Sequence, residues 1–223
     1  MERLLCVVIG YLFGLIQTGY IYGKIKNIDI RKHGSGNAGT TNALRTLGWK
    51  AGVITFIGDC LKCVVAVTLV QFLFIQDLHQ GLYAMYAGLG AVLGHNFPFY
   101  LKFKGGKGIA TTCGVFMVGL ISQSPWFWLI IPIAYISTLA FIYFVEYASL
   151  ASLIIVSAFG ITGFILFSVE YAGVVTGWLV GLYAFVFLIC AIDWFAHRAN
   201  IKRLLAGEEH KTSLKSMLKK KKK

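Results

Sequence analysis

Three segments of this 223-residue chain are dense in groups that hold anions. The first reads His33-Gly-Ser35-Gly36-Asn37-Ala-Gly39-Thr-Thr41-Asn42-Ala-Leu-Arg45. Its glycines let the backbone curl so that successive N–H groups converge. Ser35, Asn37, Thr40, Thr41 and Asn42 add side-chain donors, and Arg45 adds a fork that matches phosphate oxygens. A flexible linker has no need of Asn, Thr and Arg at such density. The second reads Gly94-His95-Asn-Phe-Pro98, then Lys102-Phe-Lys104-Gly105-Gly106-Lys107-Gly108, with Thr111-Thr112 behind. Glycines between lysines at the start of an apolar helix suggest a phosphate cradle backed by a helix N-terminus. A nucleotide-hydrolysing loop would need Gly-Lys-Ser/Thr, whereas Gly108 follows Lys107. His95 ends an apolar run, where a histidine can pack or serve as a base. The third reads His197-Arg198-Ala-Asn200-Ile-Lys202-Arg203-Leu-Leu-Ala-Gly207-Glu208-Glu209. Lys202 and Arg203 fit an interfacial amphipathic helix with snorkelling cations, but Asn200 does not.

The elements that must position these groups are set by composition. The chain is 57% hydrophobic and 13% charged, where a soluble domain is about a quarter charged. Seven apolar stretches approach the ~20 residues needed to cross a bilayer. They cover residues 4–22, 49–75, 82–101, 109–121, 126–145, 149–167 and 174–195. The fourth is the weakest and reads as tilted, partial or re-entrant. The expected architecture is an all-α polytopic membrane bundle of about seven helices. Residues 1–210 form one catalytic domain, and residues 211–223 form a basic, disordered tail.

Charge then orients the bundle. Apart from Arg3 and Lys62, every Lys and Arg lies in residues 24–50, in 102–107 or after 196. The turns at 76–80, 122–125 and 169–172 hold none. The positive-inside rule puts the N-terminus outside and the three segments and the C-terminus in the cytoplasm. The terminal lysine run is expected to attract anionic headgroups. Asp59 and Lys62 share one face of the second span and neutralise each other, which reads as a structural pair with no continuation on another span. Glu146 and Asp193 fall near the interface, where water can solvate them. The five cysteines lie in apolar stretches and behave as small hydrophobes, with no disulfide or zinc framework expected. No His/Asp/Glu cluster has metal-ligand spacing, so neither metal nor cofactor is expected.

Taken together, the three segments resemble the motifs of the bacterial membrane acyl-phosphate:glycerol-3-phosphate acyltransferases of the PlsY type. Ser35-Gly-Asn37-x-Gly39-x-Thr41-Asn42-x-x-Arg45 is similar to the first motif, and Gly94-His95-x-Phe-Pro98 through Lys104-Gly-Gly-Lys107-Gly108 to the second. His197-Arg198-x-Asn200 through Gly207-x-Glu209 is similar to the third. Two positions depart from the family pattern: Cys63 stands where glycine is usual, and Glu146 where arginine is usual.

The resemblance implies acyl transfer from acyl phosphate to the sn-1 hydroxyl of glycerol 3-phosphate, giving lysophosphatidate and phosphate. It implies catalytic roles for Ser35, His95, Lys104 and Asn200. Ser35, Arg45, Lys104, Ser149 and Asn200 would bind glycerol 3-phosphate. Gly36, Asn37, Thr41, Asn42, Gly105, Gly106 and Lys107 would bind acyl phosphate. It places the chain in the bacterial inner membrane with its site facing the cytoplasm. The implied partners are the bilayer, the two substrates and the soluble enzyme that forms acyl phosphate, with no nucleic acid. A membrane transporter of a phosphate ester is the alternative, but it would need donors along the outer turns. A His-x4-Asp acyltransferase is excluded, since no histidine has Asp five positions on.

Overall fold

Long apolar runs in a bilayer become helices, because a helix satisfies its backbone polar groups within one segment. A computed structural model describes residues 1–77, 80–121, 124–173 and 177–214, and across them the protein is all helical. Five stretches are long and apolar enough to cross a membrane: Glu2–Ile25, Trp49–Leu73, Phe127–Val145, Ala148–Glu170 and Leu179–Ala196. Their outer surfaces carry large apolar side chains, such as Phe72, Phe144 and Phe187, all exposed. In water such a surface would drive association; against lipid tails it is the expected coat. The protein is thus an integral membrane helix bundle.

The first predicted span is not one continuous helix. It is split into α1 (Glu2–Gly14) and α2 (Thr18–Ile25). The break leaves the Gly14 and Ile16 carbonyls free for Lys62 Nζ, which donates to them at 3.2 and 2.6 Å. Between α2 and α4 (Trp49–Leu73), the predicted polar loop contains a further helix, α3 (Thr40–Leu47).

The third predicted span appears as α5 (Gln80–Asn96), most of it buried. It lies hard against α1 through Gly10-x-x-x-Gly14 on one helix and Gly90-x-x-x-Gly94 on the other. A Cβ added at Gly10 would come within 1.9 Å of the Ala87 carbonyl oxygen, and one at Gly90 within 2.2 Å of that of Val7. Lipid supplies no hydrophobic drive for helix pairing, so such small-residue contact is a main source of cohesion.

The fourth predicted span is short. α6 (Ile109–Val115) runs into a π-helical turn, Phe116–Leu120. At ~1.5 Å per residue the stretch from 109 to 120 rises roughly 18 Å, less than a ~30 Å hydrocarbon core. The bundle is completed by α7 (Phe127–Val145), α8 (Ala148–Glu170), α9 (Gly177–Ala196) and the short α10 (Arg198–Leu205).

The three basic segments meet at one end of the bundle. Asn37 Nδ2 donates to the Gly105 carbonyl at 3.2 Å, and Lys107 Nζ to Asn200 Oδ1 at 2.5 Å. Residues 211–214, expected in a loose tail, instead fold back: Thr212 is buried, and its amide donates to the Glu146 carbonyl at 2.7 Å. The lysine run at 219–223, and parts of the turns expected at 76–80 and 122–125, lie outside the described residues.

Candidate active site

A cavity of about 510 Å³ opens where the three segments meet. One half is polar, walled by Ser35, Thr41, Arg45, Lys107, Ser149 and Asn200. The other half is apolar, walled by Val53 and Phe56 of α4 and by Tyr135, Leu139 and Ile142 of α7. Val53 and Leu139 are also exposed on the outer surface, so the apolar half reaches the lipid face. Such a space suits one anionic head and one alkyl chain.

The first segment is held by its two asparagines. Asn42 Nδ2 donates to the carbonyls of Ile30, His33 and Asn37, and its Oδ1 accepts from the Ser35 amide at 2.9 Å. Asn37 Oδ1 accepts from the Gly39 amide at 2.8 Å while its Nδ2 holds Gly105. Both side chains, expected on acyl phosphate, are therefore engaged in building the loop. The hydroxyls of Ser35, Thr40 and Thr41 remain as donors on the cavity wall.

Arg45 projects from α3 into the polar half. Its guanidinium donates to the His210 carbonyl at 3.0 Å and to Thr212 Oγ1. Burial works against its charge, offset in part by Glu209. Lys107 follows Gly105-Gly106, with its amine turned to Asn200. Burial pulls its pKa down to about 8, with Glu209 opposing and Arg203 and Arg45 assisting.

The far wall is organised by Glu209, which sequence reading quoted within the third motif but gave no role. Its Oε1 accepts from Asn200 Nδ2 at 2.7 Å and from Ser149 Oγ at 2.8 Å, and its Oε2 from Arg203 Nε at 2.8 Å. Burial alone would raise its pKa, but these donors outweigh burial and hold it below the usual carboxylate range. A carboxylate pair, Glu208-Glu209, closing a segment rich in cations was the available signal.

Two histidines line the cavity, and they differ. His197 Nδ1 lies 2.8 Å from the Asp193 carbonyl oxygen, so it carries the proton and leaves Nε2 as an acceptor. Burial, and then Lys107, lower its pKa to about 4. His95 is buried at the end of α5, with Nδ1 2.7 Å from Lys62 Nζ and 3.8 Å from Asp59 Oδ1. The Asp59–Lys62 pair, 3.0 Å apart, thus does continue onto another helix, contrary to the sequence reading. The signal was there, since buried charge within a span is by default a functional candidate.

Other expected residues lie elsewhere. Lys104 and Gly36 are exposed and are not part of the cavity wall. Gly105 and Gly106 lie beneath the wall, stacked on His95: a Cβ at Gly106 would come 1.9 Å from His95 Nε2. Asp193 is not solvated at the interface but fully buried, accepting from Thr112 Oγ1 at 2.8 Å. Of the two departures from the family pattern, Cys63 packs on α6, its Cβ 2.9 Å from where a Cβ at Gly114 would lie. Glu146 serves through its carbonyl, which holds the Thr212 amide.

Comparisons with known proteins identify the family and the fold. The model of the glycerol-3-phosphate acyltransferase family matches residues 4–207. A glycerol-3-phosphate acyltransferase of Alkaliphilus metalliredigens is 41% identical over 220 residues, covering 97% of this chain and 99% of the relative. One from Bacillus subtilis strain 168 is 40% identical over 212 residues, covering 93% and 96%. Crystal structures of PlsY, an integral membrane glycerol 3-phosphate acyltransferase, superpose with a TM-score of 0.77 in the glycerol 3-phosphate form and 0.75 in the lysophosphatidic acid form. Each is 33% identical, covering 98% of this chain and 99% of that one. With motifs, fold and relatives in accord along nearly its whole length, the chain belongs to the glycerol-3-phosphate acyltransferase family.

Proposed function

We propose that this membrane glycerol-3-phosphate acyltransferase takes its acyl group from an acyl phosphate and passes it directly to the sn-1 hydroxyl of glycerol 3-phosphate. The observation that carries the reading is the divided cavity, with Arg45 and Lys107 on its polar side and a lipid-facing apolar side between α4 and α7. A water-soluble anion and an anion with a fatty chain can meet there. The glycerol oxygen attacks the acyl carbon, the bond from that carbon to the phosphate oxygen breaks, and the hydroxyl proton passes to the departing phosphate. The products are lysophosphatidate and inorganic phosphate.

The departing phosphate gains basicity as its bond to carbon breaks, so the donor can supply its own base. This fits a site rich in cations and donors. His197 Nε2 accepts the hydroxyl's hydrogen bond, but a pKa near 4 makes it a weak proton acceptor, better suited to orienting than to general-base work. Glycerol 3-phosphate is held by Ser35, Arg45, Ser149 and Asn200, and acyl phosphate by Thr41, Lys107 and the amides of the first two segments. Lys104, outside the wall, attracts the anions rather than touching them. Catalysis then rests mainly on positioning and electrostatic stabilisation.

In this reading the protein sits in the bacterial inner membrane, and the positive-inside rule puts its N-terminus outside and this cavity on the cytoplasmic face. The test supplies purified protein with glycerol 3-phosphate and either palmitoyl phosphate or a palmitoyl thioester. Lysophosphatidate and phosphate should form in equal amounts from the first alone. Equal turnover of the thioester, or a kinetically competent acyl-enzyme in intact-protein mass spectrometry, would overturn the reading.

A further inference from the structure

The Lys62 amine has three partners at hydrogen-bonding geometry: the Gly14 carbonyl at 3.2 Å, the Ile16 carbonyl at 2.6 Å and His95 Nδ1 at 2.7 Å. An ammonium has three N–H groups and no lone pair, so it can donate to His95 Nδ1 but cannot accept from it. The counter-charge is Asp59, with Oδ1 also 3.0 Å from the amine, so the ammonium sits among four acceptors and none of its surroundings donates to it. At 3.8 Å from His95 Nδ1, Asp59 is too far to accept a hydrogen bond from the ring. Nothing near Nδ1 can accept a proton from it, and one cation donates to it.

We infer that Lys62 fixes the tautomer of His95, so that Nδ1 is the bare nitrogen and Nε2–H is a hydrogen-bond donor to an anionic substrate oxygen in the cavity. In a Ser-His-Asp relay a carboxylate holds Nδ1–H and frees Nε2 to take a proton. Here an ammonium stands in the carboxylate's place, and the polarity of the ring is reversed. Lys62 is a positioning residue, and Asp59 keeps its charge tolerable in a buried place. The supports around the ring agree. Gln17 Nε2 clamps the His95 carbonyl at 2.9 Å, the Gly106 amide donates to the same carbonyl at 3.0 Å, and the absent Cβ of Gly106 leaves room for Nε2. His197, with Nδ1 on a carbonyl, has the opposite tautomer. The cavity therefore has one imidazole that donates and one that accepts.

The donor role rests on the acyl-transfer reading above; the tautomer does not. Nitrogen-15 NMR of the histidine-labelled full chain in detergent, with the His95 signal assigned by its loss in His95→Gln, should show the Nε2–H form. An Nδ1–H signal would overturn the inference even if the enzyme turns over acyl phosphate normally. The pair Asp59→Asn with Lys62→Met removes both charges together, which guards the fold, and should release the fixed tautomer; its persistence would also overturn the assignment. In turnover, His95→Gln keeps a donor but cannot act as a base. It should stay within about 10-fold of the parent, whereas His95→Leu should fall about 100-fold, as when one oxyanion donor is lost. A His95→Gln protein as inactive as His95→Leu, and rescued by imidazole, would make His95 a base. Absence of any turnover of acyl phosphate by the parent would instead defeat the proposed reaction and leave the NMR result standing.

Discussion

Two buried charge clusters flank the cavity, and each is built around the opposite sign. Lys62, on α4, sits among two carbonyls at the α1–α2 break, His95 Nδ1 and the Asp59 carboxylate. Glu209, near the end of the described chain, gathers donors from Asn200, Ser149 and Arg203. The first cluster is locked between helices and meets the cavity through Asp59 and the His95 imidazole. The second is carried by a loop after α10, and its donors Asn200 and Ser149 are themselves cavity walls. The lesson concerns where a charge can be altered. A cation buried with its counter-ion cannot be lost singly without stranding the other, whereas an anion with several donors can lose one and keep the rest.

The largest effect should come from breaking the first cluster. Lys62→Met alone leaves Asp59 charged and buried, and should cost ~3–5 kcal/mol of stability, read as a fall in the thermal midpoint in detergent. The paired change with Asp59→Asn should recover most of that loss. A single variant as stable as the parent would mean that the pair is not buried as an ion pair.

Next are the cations on the cavity's polar wall. Arg45→Ala and Lys107→Ala should each lower kcat/KM at least ~100-fold, because a charge-assisted contact to a desolvated phosphate is lost. Retained activity in either would place the phosphates elsewhere. Glu209→Gln, which keeps the shape but not the charge, should lower kcat/KM by about 10-fold, consistent with weakening rather than abolishing a buried network. An effect as large as that of Arg45→Ala would mean that Glu209 touches substrate.

A smaller effect is expected with pH. Lys107 is protonated below about 8 and loses its charge above it. KM for the substrate it holds should therefore climb as pH rises past that value, and Lys107→Arg should flatten the climb, since a guanidinium stays charged. The smallest effect belongs to the lysine run: truncation after Ser216 leaves Thr212 and its contact to Arg45 in place and should leave turnover in detergent nearly intact. A large loss would give the run a part in the reaction.

The sequence alone determined that this chain is a helical membrane protein, because apolar length and scarce charge leave no other solvent for it. It also singled out the segments that meet at the cavity, because the Gly, Ser, Thr and Arg of one curled loop are near in sequence. Ser35, Thr41, Arg45, Lys107, Ser149 and Asn200 all line the one cavity. Tertiary structure decided what depends on groups far apart in the chain. It turned Asn37 and Asn42 into loop braces, left Lys104 outside the wall, and brought Glu209 under Asn200 and Ser149. It also set Lys62 against His95, 33 residues away. A hydrogen bond is won within a few tenths of an ångström, and only the packed bundle fixes distances that finely. For the same reason, sequence could name two histidines as candidates, but only the partners of each ring could show which nitrogen bears the proton.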